Sequence, residues 1–187
     1  NKTKITEPIV YDLPLLNHLE DGDIVVIHSD GVLNTLYKYN HVHNTFFVTD
    51  RCNSNCLMCS QPPKDRDDIA YLHNINMQMV KLLPESIREI GITGGEPTLL
   101  GEKLIELTSS IYKHLPKTRI HILTNGRSFA WKSFINKINN GKNENIIFAI
   151  PLYSDYYHQH DYIVQAKDAF YQTVLGIHNL ARYGFRI

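Results

Sequence analysis

The apolar positions of this chain fall into two textures. Near the N-terminus, Asp21-Gly22-Asp23 leads into the β-branched run Ile24-Val25-Val26-Ile27, Asp30-Gly31 supplies a turn, and residues 32–39 return as a second short strand. Two strand-like runs around an Asp-Gly turn are a hairpin signature. From His43 onward, strand-like and helix-like segments alternate. Residues 45–49 read as a strand, 75–83 as a helix stopped by Pro84, and 87–93 as a strand broken by Gly94-Gly95-Glu96-Pro97. Leu100, Leu104, Leu107, Ile111 and Leu115 recur at helical spacing, which predicts a helix over 99–115 ending at Pro116.

A third strand over 119–123 closes on Thr124-Asn125-Gly126, and a helix over 129–140 follows, with Ser128 as its N-cap and Gly141 as its C-terminal cap. A fourth strand, 145–152, leads to Tyr153-Ser154-Asp155; a last helix spans 168–182, and 185–187 open a fifth strand. This order implies parallel strands joined by right-handed crossovers. Two architectures fit it, an open doubly wound sheet and part of a (β/α) barrel. Both gather their chemistry at the carboxyl ends of the strands. Every unusual motif of the chain follows a strand, so all of them fall on one rim. The organisation read from these patterns is an N-terminal hairpin extension over 1–42 and a main domain over 43–187.

Composition narrows the function classes. Nineteen basic residues balance nineteen acidic ones, which argues against nucleic-acid or membrane-surface binding driven by long-range charge. No run of apolar residues reaches the length of a membrane span. The three cysteines are clustered rather than spread evenly, unlike a disulfide framework, and point to a reducing, cytoplasmic compartment.

The cysteines carry the chemistry. Cys52, Cys56 and Cys59 form a C-x3-C-x2-C loop directly after the first strand of the main domain, and the chain has no other thiol. Structural zinc sites close with four ligands, and most iron–sulfur clusters also take four cysteines. Three thiolates leave one position open for another ligand.

Together with Gly94-Gly95-Glu96-Pro97 after the second strand, this loop resembles the radical S-adenosylmethionine (radical SAM) superfamily over residues 43 to 187. The resemblance implies an α/β fold: a partial (β/α) barrel of about four βα units plus the start of a fifth strand, behind the N-terminal β-hairpin. It implies that Cys52, Cys56 and Cys59 hold a [4Fe–4S] cluster whose open iron binds S-adenosylmethionine. Reductive cleavage of that cofactor would give methionine and a 5′-deoxyadenosyl radical that abstracts hydrogen from substrate. By the same resemblance, Gly94, Gly95, Glu96 and Pro97 bind the methionine end of the cofactor. Met58, standing where the family usually has an aromatic residue, lies near the adenine; Asn125 contacts the cofactor and Ser154 its ribose. The plainer readings are a strand-to-helix turn with an exposed Glu96, a loop-core Met58, a helix-entry turn at Asn125 and a surface cap at Ser154.

A narrower resemblance, to the maturases of His-Xaa-Ser peptide-modification systems, rests on residues 51–63 (RCNSNCLMCSQPP) and on Ile150-Pro151-Leu152-Tyr153-Ser154-Asp155 with His160-Asp161. It implies a peptide or small-protein substrate and a low-potential electron donor such as flavodoxin or ferredoxin, with no membrane or nucleic-acid partner. The alternative is a small-molecule radical SAM biosynthetic enzyme. From other classes come a Cys3His zinc module completed by His73 and an electron-transfer iron–sulfur protein. His158 and His160 read as a solvated loop, and Arg51 as a surface arginine or a tuner of cluster charge. The family's core has six βα units, so the resemblance also implies that a C-terminal part is missing and that this piece alone turns over little.

Overall fold

The computed structural model describes residues 16–140 and 144–187. The expected C-terminal cap at Gly141 lies outside them. The chain divides into two compact units, residues 1–40 and 41–187. In the first, β1 (Ile24–Ile27) and β2 (Leu33–Tyr37) pair antiparallel, from Ile24 opposite Tyr37 to Ile27 opposite Leu33. Gly31 takes a φ of 87° in the turn, where the Asp30 carboxylate accepts the Val32 amide at 3.0 Å. This is the hairpin that the Asp-Gly signal predicted.

The second unit is built on four parallel strands in sequential order: β3 (Thr45–Phe47), β4 (Glu89–Thr93), β5 (Arg119–Leu123) and β6 (Ile146–Ala149). Between them run α1 (Ile69–Leu82), α2 (Glu102–His114) and α3 (Lys132–Asn140). After β6 come α4 (Tyr157–Val164) and α5 (Ala169–Arg182). Strand order separates the two architectures. A doubly wound sheet reverses direction at a switch point, whereas neighbours taken strictly in sequence, with right-handed crossovers, place the helices on one face. The unit is a partial (β/α) barrel of the radical SAM type, with the start of a fifth strand where Arg186 bridges parallel to Ile147.

Side-chain alternation shows which face is which. Phe46, Ile90, Ile92, Ile120, Ile122, Ile146 and Phe148 are all buried on the helix-facing side. Their neighbours Gly91, Thr93, His121 and Ile147 are half-buried and look to the other, inner face. Phe148 stacks edge-on against Phe129, with ring centroids 4.8 Å apart, and against Phe185 at 5.5 Å, tying the sheet to the chain that follows α5.

Several boundaries differ from the pattern's expectation. Helix α1 starts six residues earlier than predicted, because Ile69 and Leu72 continue, at three-residue spacing, the half-buried side of Ile75. The helix expected over 99–115 is two pieces, a 3-10 turn at Pro97–Leu100 and α2, separated by Gly101 at a φ of 58°. Ser128 does not cap a helix. It sits inside a second 3-10 turn, Arg127–Ala130, and shares a 2.7 Å hydrogen bond with the Thr98 hydroxyl, while α3 begins at Lys132. Helix α4 was not foreseen: its eight residues are mostly Tyr, His, Gln and Asp and carry no apolar stripe.

Candidate active site

The cysteine loop leaves the end of β3 and is held there by backbone. Past the last paired residues, Val48 N–H donates to Thr93 O at 3.0 Å, Gly95 N–H to Thr49 O at 2.7 Å and Glu96 N–H to Arg51 O at 2.8 Å. The two strands thus remain zipped together right up to Cys52. Such close approach excludes side chains. A Cβ on Gly95 would stand 2.1 Å from Arg51 O, and one on Gly94, whose φ is 147°, would stand 2.6 Å from Thr49 O. The glycine pair is required by this backbone crossing.

Other contacts hold the rest of the loop. Asp68, at the start of α1, accepts the Thr49 hydroxyl at 2.7 Å and the Asp50 amide at 2.6 Å. The Asn55 and Leu57 amides donate to Val164 O and Ile163 O at the end of α4, at 3.1 and 2.9 Å. From the end of β5, Asn125 Nδ2 donates to Asn53 Oδ1 at 2.6 Å, and the Arg127 guanidinium donates to Asn53 O and to Ser54 Oγ. Cys52 and Cys56 are half-buried and Cys59 is exposed.

Glu96 departs from its plain reading as an exposed turn residue, for it is fully buried. One carboxylate oxygen accepts the Thr98 amide at 3.0 Å, the Thr98 hydroxyl at 2.6 Å and the Thr124 hydroxyl at 2.6 Å; the other accepts the Asn125 amide at 2.8 Å. It locks the end of β4 to the end of β5.

These pieces surround a cavity of ≈ 720 Å³ at the carboxyl ends of the strands. Cys52, Cys56, Cys59, Met58, Gly94, Gly95, Glu96 and Asn125 all line it. Pro97 and Ser154 do not. Pro97 is buried at the first position of its 3-10 turn, and Ser154 accepts the Tyr156 amide at 3.0 Å and donates to Gln159 at 2.9 Å ahead of α4. The fold also brings to the cavity Arg127, to which the sequence reading gave no role, and Tyr153 and His160, which entered that reading through the maturase-like stretch. Only position signalled Arg127, since it follows a strand end.

His160 corrects an expectation. It is 1% exposed on α4 rather than in a solvated loop, and its Nδ1 accepts the Tyr153 amide at 3.3 Å. His158, on the same helix, is exposed. Burial holds the His160 imidazole below its ordinary pKa against the opposing charge of Asp161. Burial likewise pushes up the thiols of Cys52 and Cys56, joined by Glu96 and Cys56 charge at the first and by Cys59 at the second, where Arg127 opposes it. Tyr153 is raised by burial and then by Cys56 and Cys59.

His73 is turned to other work. Its Nε2 hydrogen-bonds Glu106 of α2 at 3.1 Å, and it does not line the cavity. Among the described residues, no three His, Cys, Asp or Glu side chains come together closely enough to hold a single metal ion. Arg51 is exposed and lies 3.8 Å from the exposed Asp65.

Residues 46–187 match the family model of the radical SAM superfamily. The chain belongs to the radical SAM superfamily. Among similar curated proteins is the GTP 3′,8-cyclase of Peptoclostridium acidaminophilum, 35% identical over 83 residues, which are 42% of this chain and 25% of that protein. The GTP 3′,8-cyclase of Desulforamulus reducens is 29% identical over 114 residues, 55% of this chain and 34% of its own length. A candidate glycyl-radical enzyme activating enzyme of Methanocaldococcus jannaschii is 28% identical over 87 residues, 42% of this radical SAM chain and 22% of the relative. The matches therefore span about a third or less of these relatives. None of the three bears the name of a peptide maturase. Among the described residues, no helix is long and apolar enough to cross a membrane.

Proposed function

We propose that this chain is the core of a radical SAM enzyme in which Cys52, Cys56 and Cys59 hold a [4Fe–4S] cluster and the adjoining cavity takes S-adenosylmethionine. One observation carries the reading: three thiols and the Gly94-Gly95-Glu96 segment, distant in sequence, line the same cavity at the strand ends. The donor chemistry fits the cluster. Thiolates suit iron–sulfur centres, and three of them line one cavity with no fourth cysteine in the chain. The engagement of His73 with Glu106 counts against the Cys3His alternative.

When bound, the cluster supplies the single electron that splits the sulfonium to methionine and a 5′-deoxyadenosyl radical. The chain's own part is binding, orientation and exclusion of water. Leu123, Ala149, Ile150, Pro151, Val164 and Ala169 give the cavity an apolar wall. Gly94, Gly95, Asn125 and Met58 line it as well. Glu96 acts by rigidity, because its two oxygens already accept four protein hydrogen bonds.

For the substrate, similarity to two GTP 3′,8-cyclases supports a small-molecule biosynthetic enzyme over the peptide maturase that the short stretch 51–63 resembles. Of the second maturase-like stretch, Ile150, Pro151, Tyr153 and His160 line the cavity and Ser154 does not. A low-potential donor of the flavodoxin or ferredoxin type and a reducing, cytoplasmic setting belong to this reading.

Anaerobic reconstitution tests it. The expected product is a brown protein with about four irons per chain, whose reduced EPR signal shifts when S-adenosylmethionine is added and which releases 5′-deoxyadenosine under a strong reductant. A colourless protein keeping one zinc, or a cluster indifferent to S-adenosylmethionine, would overturn it. GTP and a His-rich peptide, each tested for accelerating 5′-deoxyadenosine release, separate the two substrate classes.

A further inference from the structure

Arg127 is the only lysine or arginine among the described residues that line the cavity. Glu96 is the only carboxylate there, and its charge is already met by four hydrogen bonds. The guanidinium is therefore the sole formal cation beside three thiols. It is also fixed in place. Arg127 N–H donates to Asn125 Oδ1 at 3.0 Å, Nε donates to Gln172 Oε1 of α5 at 2.7 Å, and Nη1 donates to Ser54 Oγ at 3.0 Å and to Asn53 O. Ser54 is buried, so the fork grips the loop midway between Cys52 and Cys56. Only a planar guanidinium with several donors can hold α5 and the cysteine loop at once.

We infer that Arg127 is the positioning and potential-setting residue of the cluster: its fork fixes the cysteine loop against α5, and its charge favours the reduced cluster. The inference rests on the reading above that the cysteines hold a [4Fe–4S] cluster. Cluster potentials follow net charge and hydrogen bonding around the sulfurs, so a permanent cation within the wall raises the potential. The arginine adjacent in sequence, Arg51, is turned to solvent and cannot do this. A loss of that charge lowers the potential; a loss of the fork loosens the loop.

The test compares wild type, Arg127→Gln and Arg127→Lys as reconstituted full chains. Potentials are measured by EPR-monitored redox titration without S-adenosylmethionine, and cluster release by the rate of iron capture by a chelator. Arg127→Gln is expected to lower the potential by the equivalent of about a tenfold change in the reduction equilibrium, 59 mV for one electron. Arg127→Lys keeps the charge and loses the fork, so its potential should stay near wild type while cluster release speeds up about tenfold, the equivalent of one charge-assisted hydrogen bond lost. An unchanged potential in Arg127→Gln overturns the inference whatever happens to thermal stability, which a merely structural arginine would move alone. If Arg127→Gln does not fold, Arg127→Lys decides, and wild-type release from it overturns the inference. A wild-type chain that assembles no four-iron cluster overturns the underlying reading instead, so the two failures are distinguishable.

Discussion

The carboxylate of Glu96, just past the end of β4, accepts the backbone amide of Asn125, just past the end of β5, at 2.8 Å. In the register of the ladder, where Arg119 N–H donates to Arg88 O, later amides of β5 would go to β4 carbonyls. Glu96 intercepts the amide of Asn125 at the rim. Removing the carboxylate strands the Thr98 amide, the Thr124 hydroxyl and the Asn125 amide, and leaves the Thr98 hydroxyl with Ser128 alone. Glu96→Ala is expected to cost about 3–5 kcal/mol in urea unfolding. Glu96→Gln, which turns one acceptor into a donor facing donors, should cost about 2 kcal/mol. A change under about 0.5 kcal/mol in both would refute the strut.

Gly95 and Gly101 should respond differently to alanine. At Gly95 the new methyl meets the Arg51 carbonyl, a backbone atom that cannot step aside, at 2.1 Å. Gly95→Ala is expected to lose about 3 kcal/mol of stability and to impair iron loading with it. Gly101 has nothing within 4 Å of its Cβ position, so only its φ of 58° resists substitution. With a ψ of −121° beside it, outside the left-handed helical region, Gly101→Ala should cost about 2 kcal/mol and leave iron content unchanged. Unfolding curves and iron analysis on both variants check the contrast.

Cys56→Ala is expected to reduce reconstituted iron from about four per chain to background. His73→Ala, removing a residue that pairs with Glu106 instead, should keep the full iron complement. Loss of metal from His73→Ala would revive the zinc site.

Burial holds His160 below its ordinary pKa of 6.5. In acid, then, the unfolded chain binds a proton that the folded chain does not. The stability from keeping this imidazole neutral is complete above the unfolded pKa and is lost as pH falls through the lower folded value. The urea midpoint should drop as the pH falls below the ordinary value of 6.5, and drop less in His160→Gln. Equal pH slopes in the two proteins would refute this role.

The strands, α5 and the hairpin were legible because their apolar residues keep a clear period between strong turn signals. Helix α4 was not, since its residues are polar and only their docking beside the cysteine loop makes them helical. The cysteine loop and the Gly-Gly-Glu segment were legible as chemistry because residue type and spacing alone limit what they can bind. Glu96 could be read as a site residue, but not as a buried strut, because its four donors come from two chain segments joined only by folding.

By itself, then, the sequence determined the alternation of strands and helices and the presence of three thiols on a strand-end rim. Those are local properties, set by periodicity and residue chemistry. The tertiary structure alone decided between doubly wound sheet and barrel, since both share one local pattern and differ only in which strands pair. It alone exchanged Ser154 for Arg127 and His160 in the cavity wall, because a side chain's direction depends on the neighbours that hold it. Arg51 and Arg127 show the difference most plainly: the arginine next to the cysteines in sequence faces solvent, and the one that grips their loop arrives from β5.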